Sequence, residues 1–347
     1  MEELPLHPAT ETDRPLLLLT APQLTSPVST QTIMRDVLIA LAPTIVASVA
    51  VFGLRAALVT AVCVGACVAF EYLWCRLRGL PNTCWDLSAA VTGMLLACNV
   101  PSTLPIYMLV LGAFVAIVVT KELFGGIGCN FANPAIVGRI FLAVTFPSAM
   151  ATFMAPGGLV AAFGAVDAVS SATPLAPAAA SHSYLELFLG THAGVLGETS
   201  ALAILLGLVY LLFRRVITWH VPVTYVGIVA LLSLLVGRDP MAQVLSGGLL
   251  LGAVFMATDY TTTPATIRGR VVFAVGCALV TCLIRFWGNL NEGVAYSILF
   301  MNLLVPHIDA VTRNTPVGGE MRIDEANPVK RIARRTAHAV RGGEHHE

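Results

Sequence analysis

The chain has 347 residues, 56% of them hydrophobic and 12% charged, with a mean hydropathy of +0.80. Soluble domains carry about 25% charged residues, so this composition excludes an ordinary water-soluble enzyme, and the apolar content excludes intrinsic disorder. Twenty Lys plus Arg balance twenty Asp plus Glu, and a net charge of zero offers nucleic acid no bulk attraction. The reading is an integral membrane protein.

The first 35 residues are polar, with Pro and acidic residues, and lack the basic start and short apolar core of a secretory signal. The first hydrophobic run should therefore stay in the membrane. Ten apolar segments follow: 37–54, 56–74, 87–100, 104–120, 136–152, 199–213, 217–236, 243–258, 270–287 and 292–308. A spanning helix takes about 20 mostly apolar residues, so several of these must borrow flanking residues. Pro101 and Pro105 divide the long uncharged run 87–120 into two of them. The expected fold is all-α, with about ten transmembrane helices.

Basic residues set the orientation. If all ten segments cross, 17 of the 20 Lys and Arg fall on one side and 3 on the other. That predicts a multi-pass inner-membrane protein with both termini cytoplasmic. The longest connection, 153–198, has no Lys or Arg and falls on the periplasmic side. The chain then divides into a cytoplasmic segment 1–35, a first five-helix unit 36–152, an exported loop 153–198, a second five-helix unit 199–310 and a basic tail 311–347.

The two units echo each other. VTGMLLACNVPSTLP at 91–105 resembles SGGLLLGAVFMATDYTTTP at 246–264 when Asn99 is set against Asp259, and Phe124-Gly125-Gly126 faces Phe286-Trp287-Gly288. Five segments per unit force opposite orientations, hence an inverted repeat with short or broken helices near the midplane. The plainer alternative is that Gly and Ala here only allow close helix packing.

Among chemically capable residues, the eight cysteines form no CxxC pair, which excludes a zinc ribbon or redox dithiol. Cys63 and Cys67 read as apolar packing. Cys98 and Cys129 lie near the expected breaks, where a metal–sulfur cluster shared with a partner chain is the minor alternative. No phosphate-cradling GxxxxGK[ST] or GxGxxG occurs. The stretch Lys121-Glu122-Leu-Phe-Gly-Gly-Ile-Gly-Cys-Asn-Phe-Ala-Asn-Pro134 carries more weight. Its three glycines permit sharp bends or close approach to a ligand, Asn130 and Asn133 add amides, and Pro134 suits a helix start. Non-helical backbone at membrane depth survives only beside protein or a watery cavity. Ionisable residues in or beside spans are functional candidates by default; Glu122 and Asp259 are the candidates for an ion pathway. In the exported loop, Asp167-Ala-Val-Ser170-Ser171-Ala172-Thr173-Pro174 places a threonine hydroxyl between a small residue and a proline. On spacing alone this is also what a Ser/Thr-rich turn looks like.

Several motifs together resemble a known family. They are Ser29-Thr30 with Ile33-Met34-Arg35-Asp36-Val37-Leu38-Ile39-Ala40, the Gly-Gly-Ile-Gly-x-Asn-x-x-Asn-Pro stretch, Ser171-Ala172-Thr173-Pro174-Leu175, Phe255-Met256-Ala257-Thr258-Asp259, and Gly293 to Asn302 followed by Pro306-His307-Ile308-Asp309. In this order, over residues 29–310, they resemble the RnfD family of the Rnf ion-translocating electron-transport complex, which is related to the NqrB family of the sodium-pumping NADH:quinone oxidoreductase. The resemblance implies a membrane subunit of a translocase coupling ferredoxin/NAD electron transfer to ion movement. It implies FMN joined through a phosphoester to Thr173, with Ser171, Ala172 and Asp167 beside the attachment point. Many relatives have glycine where this chain has Ser171, a small change that leaves the attachment chemistry intact. The quinone-reductase relative suggests a second flavin, riboflavin, held between the halves. Other subunits, one carrying FMN and others iron–sulfur clusters, are the implied partners. A competing reading from the helices alone is an inverted-repeat solute channel or transporter without a redox role.

Overall fold

The computed structural model describes residues 29–154, 183–288 and 292–312. Among them the chain is all-helical, with no β-strand. Every one of the ten apolar segments carries a helix, and these are numbered here in chain order. The first unit comprises α1 (Thr30–Phe52), α2 (Leu54–Arg78), α3 (Ser88–Cys98), α4 (Ile106–Phe114, continued by a π turn Val115–Val119) and α5 (Pro134–Thr145). The second comprises α6 (Ala201–Phe213), α7 (His220–Leu235), α8 (Leu249–Leu251, continued by a π turn Gly252–Met256), α9 (Ile267–Trp287) and α10 (Val294–Thr312). Among the described residues, five helices are long and apolar enough to cross a membrane: Thr30–Phe52, Leu54–Arg78, Ile106–Phe124, Ile267–Trp287 and Val294–Thr312. The 11-residue α3 rises only about 16 Å at 1.5 Å per residue, roughly half of an apolar bilayer core. Short helices of this kind must end inside the protein, where their terminal backbone groups need partners.

Local chemistry sets the helix boundaries. Ser29 caps α1 by accepting from Thr32 N at 3.2 Å. Gly53, at φ 71°, ends α1 and starts α2 with no intervening residue. Asn133 caps α5 and Pro134 occupies its first position. Thr266 caps α9.

The packing is inside-out relative to a soluble bundle. Leu77, Val144, Val209, Leu234 and Leu283 point outward, as a lipid-facing surface requires. Inside, Leu41, Leu96, Ile117, Tyr225 and Phe273 are fully buried. α2 packs on α3 and α4, α7 on α9, and α9 on α10. The halves meet where α1 packs on α6 and α5 on α10. Close approach is won with small residues: a Cβ on Gly93 of α3 would meet Val64 Cα at 2.6 Å and Cys63 O at 2.8 Å on α2. Gly93→Leu is therefore expected to destabilise the protein by about 1–3 kcal/mol through overpacking, read as a lower unfolding midpoint in detergent.

Two features stand out beside the sequence reading. Residues 183–198 of the expected exported loop pack into the bundle. Ser183 and Glu186 form a capping box on a helix Tyr184–Leu189, and residues 192–200 are buried. Leu196 N donates to Val100 O at 3.3 Å and Gly197 N to Cys98 O at 2.9 Å, while Ser48 Oγ donates to Leu196 O. The stretch reads as a loop because it has neither helical nor strand periodicity, yet its partners lie at the end of α3. The charge map shifts too. Arg139, one of the 17 basic residues on the cytoplasmic count, lies inside α5, and Arg285, one of the other 3, lies inside α9; both are buried.

Candidate functional site

A cavity of about 410 Å³ opens between the two halves. Its walls are Ile33 and Val37 of α1, Ser88, Val91 and Leu95 of α3, and Phe255 at the end of α8. The Gly-rich loop contributes Gly128, Asn130 and Asn133, and the chain after α8 contributes Thr258, Asp259 and Thr261. The loop turns here because Gly125, Gly126 and Gly128 all adopt positive φ, at 116°, 89° and 88°, a region that glycine enters without a Cβ penalty. The sequence signal of three clustered glycines was thus a backbone requirement.

The structure brings together three of the residues singled out above. Asn130 Nδ2 donates to Ala132 O and to Thr261 Oγ1, each at 3.0 Å, and so ties the Gly-rich loop to the second half. Asn133 Oδ1 accepts from Ala135 N at 3.0 Å as the α5 cap, so part of its role is local. Asp259 Oδ2 accepts from Thr261 Oγ1 and Thr262 Oγ1, each at 3.2 Å. Asp259 follows α8 in a non-helical connection. Burial pushes its carboxyl up, and the hydrogen bonds from Thr262 and Thr261 oppose that rise.

Glu122 lies one step behind the cavity wall, buried, with Oε1 3.6 Å from Lys121 Nζ. Lys121 lines the cavity and is itself buried. Its Nζ donates to Glu71 Oε2 at 2.7 Å and to Ser88 Oγ at 2.6 Å. Glu71 Oε1 accepts from Thr83 Oγ1 at 2.7 Å. A buried cation held by a buried carboxylate is costly to desolvate, and here the Ser88 hydroxyl and the nearby Glu122 carboxylate offset part of that cost.

A second polar centre joins residues whose meeting was not legible in the sequence, although Arg139 and Glu292 count singly among its ionisable candidates. Arg139 donates through Nη1 to Asn99 Oδ1 at 3.1 Å, and its Nη2 pairs with Glu198 Oε1 at 3.3 Å and with Glu292 Oε2. Glu292 Oε1 also accepts from Gly248 N at 2.6 Å. Four stretches remote in sequence meet on one guanidinium. Arg139 and Glu292 stand beside apolar runs, which is the usual flag for an intramembrane ionisable group. Glu198, by contrast, looked like part of an exported loop. Asp36 of the Ser29–Ala40 run has a structural role as well: it accepts from Arg214 Nε at 3.1 Å and pins α1 to α6.

Asp167, Ser171, Ala172 and Thr173 lie outside the described residues. Among the described residues, no group of three His, Cys, Asp or Glu side chains is placed to hold a metal ion.

Comparison with protein families matches residues 18–318 to the NQR2, RnfD, RnfE family. Among curated proteins, the chain is 41% identical over 310 residues to a subunit of the Na(+)-translocating ferredoxin:NAD(+) oxidoreductase complex of Acetobacterium woodii, covering 87% of this chain and 95% of that one. It is 39% identical over 310 residues to a subunit of the proton-translocating ferredoxin:NAD(+) oxidoreductase complex of Clostridium ljungdahlii, covering 84% and 92%. It is 38% identical over 331 residues to a subunit of the ion-translocating oxidoreductase complex of Stutzerimonas stutzeri, covering 85% and 94%.

Proposed function

Because the chain belongs to the NQR2, RnfD, RnfE family, we propose that it works as the RnfD-type membrane component of an ion-translocating ferredoxin:NAD oxidoreductase complex and relays electrons through covalently bound FMN. The observation that carries this reading is the family match over residues 18–318, together with relatives from such complexes that align along nearly their whole length. One of those relatives is named for sodium and another for protons at almost the same identity, so overall similarity does not choose the ion.

The flavin supplies one-electron redox chemistry, and the protein positions and tunes it. Thr173 supplies the hydroxyl that a phosphoester needs. A covalent bond keeps the cofactor from being lost on the periplasmic side, and the absence of Lys and Arg over 153–198 suits a diester, which carries less charge than free FMN phosphate. Mass spectrometry of the 153–198 peptide tests this: an adduct of FMN mass on Thr173 is expected, and an unmodified peptide from protein matured with its flavin transferase would sink the reading.

The cavity suits a second flavin, riboflavin in kind. Val91, Leu95, Val37 and Phe255 offer apolar walls for a planar ring, and Asn130, Thr258, Asp259 and Thr261 offer hydrogen bonds to its polar edges. An FMN-bearing subunit and iron–sulfur subunits complete the electron path as partners.

Ten crossings in two inverted five-helix repeats account for several pairings. Lys121, at the end of α4, bonds Ser88 at the start of α3. In the second half Arg285, near the end of α9, donates to Gln243 O at 2.8 Å and Ser246 O at 3.3 Å, just before α8. In each half a cation ties the fourth helix to the entry of the third, and inversion puts the two at opposite faces. With both termini in the cytoplasm, the Gly-rich loop faces the cytoplasm too. Cys129 is exposed there, while six of the other seven cysteines are buried and Cys84 is half-buried. A membrane-impermeant maleimide should therefore label Cys129 of the separately expressed protein in inverted vesicles but not in intact spheroplasts; the reverse result would invert the topology.

A further inference from the structure

The Lys121 cluster leads somewhere. Asp86, half-buried ahead of α3, accepts from Ser88 Oγ through Oδ1 at 2.6 Å. Ser88 Oγ in turn accepts from Lys121 Nζ at 2.6 Å. Both Ser88 and Lys121 line the cavity, whereas Asp86 stands outside it. The result is an unbroken hydrogen-bonded chain of a carboxylate, a hydroxyl and an ammonium, running from the protein surface to the cavity wall. A second branch leaves Lys121 through Glu71, 2.7 Å away, to the exposed Thr83. A structural ion pair between Lys121 and Glu71 alone would need neither Ser88 nor an opening onto the cavity.

We propose that Asp86, Ser88 and Lys121 form a proton relay that protonates the cavity flavin as it is reduced. This rests on the reading that the cavity holds a flavin. An electron arrives from a neighbouring one-electron carrier of the complex and enters the ring. The Lys121 ammonium breaks one N–H bond, and a ring nitrogen gains one. The resulting amine takes the Ser88 hydroxyl proton, while the Asp86 carboxylate takes a proton from water, leaving hydroxide to the solvent, and passes it to the Ser88 oxygen. Charge on the ring is neutralised as each electron is added, and oxidation runs the same steps backwards. Glu71 gives the relay its direction. Once Lys121 has lost its proton, Glu71 is a buried carboxylate without its counter-charge, a costly state that recharging of Lys121 relieves. Lys121 would be the group in contact with the ring, Ser88 the link behind it and Asp86 the surface entry.

The test uses the purified complex carrying Ser88→Ala, Asp86→Asn or Ser88→Thr. Acid-released flavin is measured first, and then photochemical reduction of that non-covalent flavin is followed by absorbance in H2O and D2O. Wild type, Ser88→Ala and Asp86→Asn should hold equal flavin. Reduction should slow about a hundredfold in Ser88→Ala, the lower end of what a positioned acid usually contributes. Ser88→Thr, which keeps the hydroxyl, should stay near the wild-type rate, and a small weak acid such as acetic acid should restore Asp86→Asn. Equal rates in all variants at full flavin content overturn the relay alone. Loss of flavin from Ser88→Ala overturns it in favour of a binding role. No acid-released flavin in the wild-type complex overturns the cavity reading and the relay together, while the adduct on Thr173 is scored separately.

Discussion

Replacing Thr173 with alanine is expected to remove the covalent flavin from this protein completely and to bring ferredoxin-driven NAD reduction by the assembled complex to background. The expectation follows from bonding. A phosphoester needs an oxygen nucleophile on the protein, and alanine has none. Thr173→Ser keeps the hydroxyl and should keep the adduct. Flavin fluorescence of the denatured protein in a gel reads the first effect, and reduction of NAD in membrane vesicles reads the second. Fluorescence that survives Thr173→Ala places the attachment elsewhere. Lost fluorescence with undiminished electron transfer makes the flavin a passenger and the protein a scaffold. Retained assembly with the partner subunits separates either result from misfolding.

The second large effect is expected at Arg139. Arg139→Leu should destabilise the protein by about 3–5 kcal/mol, the usual cost of stripping the partner from a buried charge. Glu198 is 5% exposed and Arg139 8%, so water cannot take over the lost interaction. Asn99 Oδ1 would lose its donor as well. The damage should be partly reversed when both carboxylates are neutralised, because Arg139→Leu combined with Glu198→Gln and Glu292→Gln leaves no unpaired charge. Non-additivity of this size is the mark of residues in one network. Unfolding midpoints of the single, double and triple variants in detergent measure it. Simple addition of the three effects would show that Arg139 acts alone rather than as the hub of this network.

How far the sequence carried can be judged from particular residues. All ten apolar segments are helical, because length and hydropathy alone decide that in a membrane chain. Asn133-Pro134 as a helix start and the glycines at 125, 126 and 128 as a turn were also legible, since cap chemistry and positive φ act over a few residues. What escaped was long-range. Arg139, Glu198 and Glu292 stand far apart in the chain, and no local pattern pairs them. Residues 192–200 carry too little periodicity to be called core, and contact with α1, α3 and α5 accompanies their burial. The π turns at 115–119 and 252–256 left no compositional trace either. Within the cavity, Asn130, Asp259 and Lys121 were found by residue type, but Ser88 needed its neighbours in space.

The two backbone hydrogen bonds from Leu196 and Gly197 to Val100 and Cys98 also bear on the order in which the protein is made. The carbonyls of Cys98 and Val100, at the end of a helix too short to leave the apolar interior, have no water to turn to. Their donors are synthesised almost a hundred residues later. During translation the first five helices must therefore wait in the membrane with exposed carbonyls. Release of those groups from solvent or from the insertion machinery comes only when the stretch before α6 arrives. The first half is in this sense an unfinished object, closed by a short piece of chain that precedes the second.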